Sequence, residues 1–181
     1  RSAVVGAGPA GIAAALTLKA AGYEVTLLER EAAVAPGLVA SGAAPKNDKF
    51  FWYRDYLIRK LDEADIDLRL GTDATADLVE AIEPDFVVLA TGSADRQLEG
   101  VSGLDLDMVS SAYDVLVGKA ALAKGPVVIY GAGEVGCEAA KFAAERGCDV
   151  VLSTRSADDQ ALSRANWLRI YREQFIATLR A

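Results

Sequence analysis

The sequence predicts an α/β fold made of two Rossmann-like dinucleotide-binding units with parallel sheets, in a truncated form. Three observations predict this fold. A glycine-rich fingerprint occurs twice, beginning at Gly6 and again at Gly131. Each copy follows an apolar run of β type and precedes an alanine-rich run of helical type, which is the context that makes such a fingerprint specific. Strands and helices alternate along the chain, and this alternation favours parallel sheets.

The apolar periodicity divides the first part of the chain into alternating strands and helices. Residues 31–49 contain Pro36-Gly37 and Pro45-Lys46, and we predict a loop there. The other predicted elements are strand 2–5, helix 9–21, strand 24–28, helix 50–64, strand 66–70, helix 76–82 and a buried strand at 85–90.

The second part of the chain repeats the strand–helix–strand order of the first. We predict a strand at 126–130, a helix at 134–146 and a strand at 149–153, preceded by a short helix at 110–118. Residues 160–180 are amphipathic, and we interpret their apolar stripe as core packing rather than as a partner-binding face. That stripe consists of Leu168, Tyr171, Phe175 and Leu179.

The glycine spacing suits the pyrophosphate of a dinucleotide. In the first copy, Gly6 permits the tight strand-to-helix turn, Gly8 lets the backbone approach the pyrophosphate, and Gly11 lets helix and strand pack closely. The helix N-terminus offers free N–H groups and the positive end of its dipole to the phosphates. Pro9 suits the first helical position, where its missing N–H costs nothing.

The residue 23 positions after the first glycine differs between the two copies, being Glu29 in one and Thr154 in the other. A carboxylate there accepts hydrogen bonds from ribose hydroxyls, so Glu29 suits the unphosphorylated adenosine of FAD or NAD. Thr154 followed by Arg155 and Ser156 suits a 2′-phosphate and favours NADPH. The alternative is that Arg155 is a solvated surface arginine and that the second site binds NADH.

These assignments suggest a domain organisation. We expect a first, FAD- or ADP-binding unit over residues 1–93, a connector over 94–125 and a second, incomplete NAD(P)H-binding unit over 126–181. Because Arg1 stands directly before a strand without an initiator Met, we expect the chain to be a piece of a longer one.

Composition narrows the function classes. The net charge of −7 argues against a nucleic-acid partner, and no apolar run is long enough for a membrane span. The chain has no histidine, which argues against His-dependent catalysis and zinc sites, so we predict no catalytic side chain and no metal site. Cys137 and Cys148 form no redox-active pair, which disfavours a disulfide reductase. A cytoplasmic location is the default expectation.

Several short segments together form a recognisable pattern. They are Gly6–Gly11, Leu28-Glu29-Arg30, Pro36-Gly37-Leu38, Ala43-Ala44-Pro45, Tyr56-Leu57, Leu70-Gly71-Thr72, Glu83-Pro84-Asp85, Val88–Gly92 and Gly131–Gly136. In these segments the sequence resembles the C-terminal FAD/NAD(P)-binding region of Old Yellow Enzyme-like NADH:flavin oxidoreductases. This group includes dienoyl-CoA reductases, enoate reductases and trimethylamine dehydrogenase-like enzymes. The glycine fingerprints are shared by all flavoproteins with two dinucleotide-binding domains, whereas the segments between them are specific to this group.

The resemblance implies which residues hold the cofactors. By position, the FAD site would contain Gly6, Gly8, Pro9, Ala10, Gly11, Glu29, Arg30, Ala90, Thr91 and Gly92. The nicotinamide nucleotide site would contain Gly131, Gly133, Glu134, Val135, Gly136, Thr154 and Arg155, with Glu138 as a weaker candidate near the nicotinamide end.

The resemblance also implies a flavin-dependent oxidoreductase that is part of a larger enzyme. The region would pass hydride from NADPH or NADH to FAD, and electrons onward to FMN or an iron–sulfur (4Fe-4S) cluster in a missing part. A missing barrel domain or a partner chain would handle a small-molecule substrate, and the whole would belong to an oligomer. The chain departs from the group in three ways. It has no barrel or cysteine cluster, Pro36 replaces a common glycine, and it has no closing Gly-Asp motif for the flavin.

Two alternatives stay open. In trimethylamine dehydrogenase-like relatives the corresponding region holds ADP as a structural ligand, so this chain could be a non-catalytic ADP-binding domain. Loss of the closing Gly-Asp segment favours that interpretation. The paired fingerprints also resemble the small subunit of glutamate synthase-like complexes, although the cluster-binding cysteines of that subunit are absent here.

Overall fold

The computed structural model describes residues 1–94, 98–122 and 124–154. These residues divide into two compact units. Residues 1–42 and 48–94 form the first unit, and residues 43–47, 98–122 and 124–154 form the second. Each unit contains a parallel sheet with helices packed on it, so the predicted fold class is confirmed.

The first unit is built on a four-stranded parallel sheet. Its strands stand in the order β3-β2-β1-β4, with β1 at Ser2–Val5, β2 at Val25–Leu28, β3 at Asp67–Arg69 and β4 at Phe86–Leu89. The register aligns Val4 with Leu27 on one side and with Val88 on the other. These residues point to the same face of the sheet, because residues paired in register on neighbouring strands lie on the same side of the pleat. This is the doubly wound arrangement in which chain order reverses beside β1.

Four helices lie in the described part of the first unit, although the last residue of one of them is assigned to the second unit. They are α1 at Pro9–Ala20, α2 at Pro36–Ala43, α3 at Lys49–Glu63 and α4 at Ala76–Ala81. Ile12, Leu57 and Leu61 from α1 and α3 are buried against the sheet residues Val4 and Leu27. Gly22, at a φ of +90°, follows the end of α1, and its N–H donates to Lys19 O. A left-handed residue at this position ends a helix, and glycine adopts that conformation at little cost.

The predicted loop at 31–49 contains a helix, α2 at Pro36–Ala43, so that prediction was wrong over these residues. The Pro-Gly pair indicates a turn by composition, but proline is also favoured in the first turn of a helix. Leu38, Ala40 and Gly42 are buried. Helix formation here follows from tertiary packing of small residues, which local propensity does not register.

The strand predicted at 85–90 is present as β4, but the expectation that it is buried was wrong. Phe86 and Val87 are exposed, and Leu89 has 75% of its surface exposed. The reason is that β4 lies at the edge of the four-stranded sheet, where helix α1 covers it less than it covers β1 and β2. An apolar run predicts burial only if neighbours cover both faces of the strand.

The second unit contains α5 at Ala112–Leu116, β5 at Pro126–Tyr130, α6 at Glu134–Ala144 and β6 at Asp149–Ser153. β5 and β6 pair in parallel, with Val128 beside Val151. Cys137, Ala140 and Ala143 are buried on α6. The amphipathic segment predicted at 160–180 lies outside the described residues. No helix within the described part of the chain is long and apolar enough to cross a membrane.

Candidate functional site

The first fingerprint forms a tight turn at the carboxyl end of β1. Gly6 has a φ of +101°, and its N–H donates to Leu28 O at 2.7 Å. A Cβ at Gly6 would lie 2.5 Å from Ala90 O, at the end of the neighbouring strand β4. A Cβ at Gly11 would overlap the carbonyl oxygen of Gly6. Backbone conformation and packing within the protein therefore require glycine at Gly6 and Gly11.

Gly8 is different, because nothing in the described protein requires a glycine there. It is the N-cap of α1 with a φ of −76° and a ψ of 177°, which any residue adopts. A Cβ built on Gly8 would meet no atom within 4 Å. The missing side chain leaves open space at the N-terminus of the helix, where N–H groups and the helix dipole attract phosphate. This space fits the close approach of a pyrophosphate.

Glu29 is buried immediately after the end of β2, and both of its carboxylate oxygens accept hydrogen bonds from the backbone. Ala7 N donates to one oxygen at 2.7 Å, and Glu31 N donates to the other at 3.0 Å. Each carboxylate oxygen can accept a further hydrogen bond. The bond to Ala7, within the glycine turn itself, fixes Glu29 against the fingerprint. Neither backbone donor could be named from the sequence.

The remaining predicted residues of the first site lie near this turn. Ala90 N donates to Val5 O at 2.8 Å, which holds the end of β4 beside the end of β1. Thr91 and Gly92 follow as exposed residues, with Gly92 at a φ of +69°. Arg30 is exposed, with its Nε 3.9 Å from Glu31 Oε1. Pro9 and Ala10 open α1.

The second fingerprint repeats this geometry. Gly131 has a φ of +109°, and its N–H donates to Ser153 O at 2.7 Å, as Gly6 does to Leu28. A Cβ at Gly136 would overlap the Gly131 carbonyl oxygen, whereas one at Gly133 would meet nothing within 4 Å. In both copies the third glycine is required by packing, and the second glycine stands beside open space.

The position equivalent to Glu29 carries no carboxylate in the second copy. Thr154 follows β6 and is half-buried. Glu134 and Val135 are exposed in the first turn of α6. Arg155, the predicted partner of a 2′-phosphate, lies outside the described residues.

Glu138, near the start of α6, accepts a hydrogen bond from the side-chain amide of Asn47 at 2.9 Å. Burial raises the pKa of Glu138; the Asn47 amide opposes this rise, and the charge of Glu134 adds to it. The two residues are 91 positions apart, and no signal in the sequence pointed to Asn47.

Neither cysteine forms a redox pair. Cys137 and Cys148 are not joined by a disulfide, and burial, with the charge of Glu138, raises the pKa of the Cys137 thiol to about 11. A buried thiol of this kind is inert as a nucleophile. In the part of the chain that the structure describes, no group of three or more His, Cys, Asp or Glu residues could hold a metal ion.

A cleft of about 570 Å³ lies elsewhere in the first unit, beside Glu24 and Val25, where β2 begins, and Ile66 and Asp67, where β3 begins. Ligands of parallel α/β sheets bind at the carboxyl ends of strands. The glycine turns lie at those ends, whereas this cleft lies where β2 and β3 begin.

The chain belongs to the pyridine nucleotide-disulphide oxidoreductase family, whose model matches residues 1–165. The NADH oxidase of Thermoanaerobacter brockii is 37% identical over 173 residues, which cover 92% of this chain and 26% of that protein. The bilirubin reductase of Mediterraneibacter gnavus is 35% identical over 147 residues, which cover 81% of this chain and 23% of that protein.

Two solved structures of larger oxidoreductases also resemble this chain over almost its whole length. A complex of 2-naphthoyl-CoA reductase with 2-naphthoyl-CoA superposes with a TM-score of 0.85 at 26% identity, over 99% of this chain and 27% of that one. Histamine dehydrogenase from Rhizobium sp. 4-9 superposes with a TM-score of 0.79 at 25% identity, over 99% of this chain and 29% of that one. The chain thus spans about a quarter of the length of these relatives.

These comparisons confirm three predictions. The resemblance to the FAD/NAD(P)-binding region of larger flavoproteins is confirmed. The class of enzyme, an oxidoreductase that uses a pyridine nucleotide and a flavin, is confirmed at the level of the family. The cofactor class, FAD with NAD(P), is confirmed at the same level.

Proposed function

We propose that this chain is the electron-input region of a flavin-dependent oxidoreductase. The first fingerprint holds FAD, and the second holds NADPH or NADH. Hydride passes from the nicotinamide to FAD, and electrons continue to a partner redox centre, FMN or an iron–sulfur cluster, elsewhere in the enzyme. Hydride transfer is chemistry that the cofactors supply when bound, while the protein supplies binding, orientation and electrostatics.

The observation that carries this proposal is the open space beside Gly8 and Gly133. Both glycines sit at a helix N-cap with ordinary dihedral angles, and neither has a protein atom within 4 Å of a built Cβ. A glycine that the fold does not need supports a role in ligand approach. Its occurrence at equivalent positions of two units supports two dinucleotides.

The difference between the ribose positions supports two different nucleotides. At the first site, the buried Glu29 carboxylate stands against the glycine turn and suits a free 2′-hydroxyl. A 2′-phosphate there would meet a buried negative charge, which is costly. At the second site, Thr154 brings no charge. We therefore assign FAD to the first site and favour NADPH at the second.

The domain boundaries follow from this assignment and remain proposals. The FAD unit covers residues 1–93, the connector 94–125 and the nicotinamide nucleotide unit 126–181. Relatives of this chain are named as an oxidase, reductases and a dehydrogenase. That range supports a shared electron-input region whose substrate is chosen elsewhere, in a barrel domain or partner chain of an oligomer. A cytoplasmic location stays a prediction.

The visible absorption spectrum of the purified protein tests the proposal. A flavin band that bleaches when NADPH or NADH is added without oxygen is the expected result. A colourless protein that releases ADP on denaturation would contradict it and would favour the non-catalytic ADP-binding alternative. Flavin released on denaturation should be FAD.

The nucleotide preference has its own test. Arg155→Glu should raise the KM for NADPH relative to that for NADH, because the guanidinium is replaced by a charge that repels a 2′-phosphate. Arg146→Glu is the matched control, since the exposed Arg146 follows the end of α6 that is opposite to the second fingerprint and should leave this ratio unchanged. An unchanged ratio in Arg155→Glu would show that Arg155 does not read the 2′-phosphate.

A further inference from the structure

The segment 43–47 contributes a side chain to the second unit. Its Asn47 Nδ2 donates to Glu138 Oε1 at 2.9 Å, and both residues are half-buried. Glu138 is the fifth residue of α6, the helix whose N-terminus carries the second fingerprint. A carboxyl group one turn inside a phosphate-binding helix is poorly placed for a negative charge once a phosphate arrives, because the two charges repel.

The surroundings of Glu138 both favour and disfavour its ionised form, and burial is the largest influence. The amide of Asn47 is neutral, and it donates to only one of the two carboxylate oxygens. Glu134, one turn earlier, adds a negative charge that disfavours ionisation, and burial acts in the same direction. The other titratable or charged groups on α6, at its C-cap and on the neighbouring segments are Glu134, Cys137 and Lys141 of α6, the C-cap Glu145, Lys46 of the segment 43–47, Tyr113 and Asp114 of α5, Tyr130 of β5 and Asp149 of β6.

We propose that Glu138 takes up a proton from solvent when a dinucleotide binds at the second fingerprint, so that the Asn47–Glu138 pair is a proton-binding site linked to the nucleotide site. This inference rests on the proposed function of that fingerprint. The helix rises about 1.5 Å per residue, so Glu138 lies about 7.5 Å along the axis from the N-cap Gly133, and a pyrophosphate at the helix N-terminus would lie somewhat further away. The separation is then on the order of one Debye length, about 8 Å, so the charge of the pyrophosphate still favours the neutral carboxylic acid.

Asn47 can hydrogen-bond to Glu138 in both protonation states of the Glu138 carboxyl group. Its amide carries a donor and an acceptor, so it can donate to the carboxylate or accept from the carboxylic acid. The pair can therefore stay hydrogen-bonded when Glu138 gains its proton. Loss of negative charge at Glu138 then removes repulsion at the start of α6.

Nucleotide binding should be stronger at low pH, because a group that binds a proton more tightly in the complex favours the complex when protons are abundant. Affinity falls as the pH rises from the pKa of Glu138 in the free protein through its higher pKa in the complex. We expect a fall of about 3- to 10-fold over this window, because a screened charge pair at this distance shifts a pKa by roughly half a unit to one unit.

Isothermal titration calorimetry of the full chain with NAD⁺ tests this. NAD⁺ carries no hydride to reduce a flavin and no 2′-phosphate, whose second pKa near about 6 would add its own protons. Titrations in buffers of different ionisation enthalpy, from about pH 5 to about pH 8, give the number of protons taken up. We expect uptake on the acidic side that vanishes as the pH rises.

Two Glu→Gln substitutions distinguish the effect of Glu138 from that of another glutamate at the opposite end of the helix. Glu138→Gln should abolish the uptake, make the affinity independent of pH, and tighten NAD⁺ binding by about 3- to 10-fold at neutral pH. Glu145→Gln, at the far end of α6, should keep the uptake. Asn47→Asp should move the uptake to higher pH, because a second carboxyl group raises the pKa of the pair.

The outcomes distinguish this inference from the proposed function. Binding of NAD⁺ without proton uptake by the unaltered protein would overturn the proton site and leave the nucleotide site intact. Uptake that persists in Glu138→Gln would also overturn it, since another group would then be responsible. Failure of both NAD⁺ and NADP⁺ to bind would overturn the proposed function and this inference together.

Discussion

Gly8→Ala should separate the stability of the first unit from its capacity to bind a nucleotide. The added methyl group would meet no protein atom within 4 Å, and the φ of −76° suits alanine. Alanine restricts the unfolded chain and so stabilises by about 0.4–1 kcal/mol. Glycine is the better N-cap by a comparable amount. The free energy of unfolding should therefore change by less than about 0.5 kcal/mol.

The effect on binding should be larger. The methyl group would occupy the space in which the backbone of the turn approaches the pyrophosphate. Crowding of this kind costs about 1–3 kcal/mol. Because about 1.4 kcal/mol corresponds to a factor of ten, the affinity for FAD or ADP should fall by roughly 5- to 150-fold.

Gly11→Ala is the matched control, because it makes the same chemical change three residues away. Its Cβ would overlap the carbonyl oxygen of Gly6 and lie 3.0 Å from the carbonyl carbon. The start of α1 would have to move away from the turn, which should cost about 3 kcal/mol of stability. This variant should lose stability and nucleotide binding together.

Both variants are measured in the nucleotide-free form, because a bound nucleotide itself stabilises the folded state. Denaturant unfolding gives the stability, and titration of the nucleotide-free protein with FAD or ADP gives the affinity. Gly8→Ala with unchanged affinity would refute the reasoning, because the open space beside Gly8 would then have no ligand to admit. The pair Gly133→Ala and Gly136→Ala repeats the test at the second fingerprint.

Three further predictions concern the first unit. Glu83→Gly should raise the free energy of unfolding by about 0.5–1 kcal/mol relative to Glu83→Ala, because this exposed residue has a left-handed φ of 51°; thermal unfolding measures the difference. Leu57→Ala should lower the free energy of unfolding by about 2–5 kcal/mol, because Leu57 is buried. Trp52→Ala should change it by less than about 0.5 kcal/mol, because 69% of the Trp52 surface is exposed; denaturant titrations measure both. A hydrogen bond from Arg69 lowers the pKa of Asp67 in the folded protein. The ionised Asp67 therefore stabilises the fold above its unfolded pKa of about 3.9, and this stabilisation is lost as the pH falls through the lower pKa of the folded protein. Asp67→Asn should therefore destabilise by less than about 1 kcal/mol at neutral pH and have no effect in strong acid, as unfolding measured against pH would show.

The sequence predicted those turns, helix ends and helices that are determined by residues close together in the chain. The turns at Gly6 and Gly131 follow from the fingerprint, because a tight strand-to-helix turn needs a left-handed glycine. The start of α1 follows from Pro9, and its end from Gly22. Helix α3 follows from the three- and four-residue spacing of apolar side chains that includes Leu57.

The features that the sequence did not predict depend on neighbours in space. Helix α2 was missed because its Pro36-Gly37 pair is typical of a turn, and packing decides which structure forms. The exposure of Leu89 depends on β4 being an edge strand, which no local pattern encodes. The bond between Asn47 and Glu138 joins residues far apart in the chain.

The proposed function requires that two dinucleotides bind this chain and that a hydride passes from one to the other. Rapid mixing of the flavin-loaded protein with NADPH or NADH in the absence of oxygen tests it most directly. We predict that the flavin band bleaches in a fast phase and that deuterium at the transferred position of the nicotinamide slows this phase. Binding of FAD with no bleaching by either nucleotide would contradict the account, because the second fingerprint would then deliver no hydride to the first.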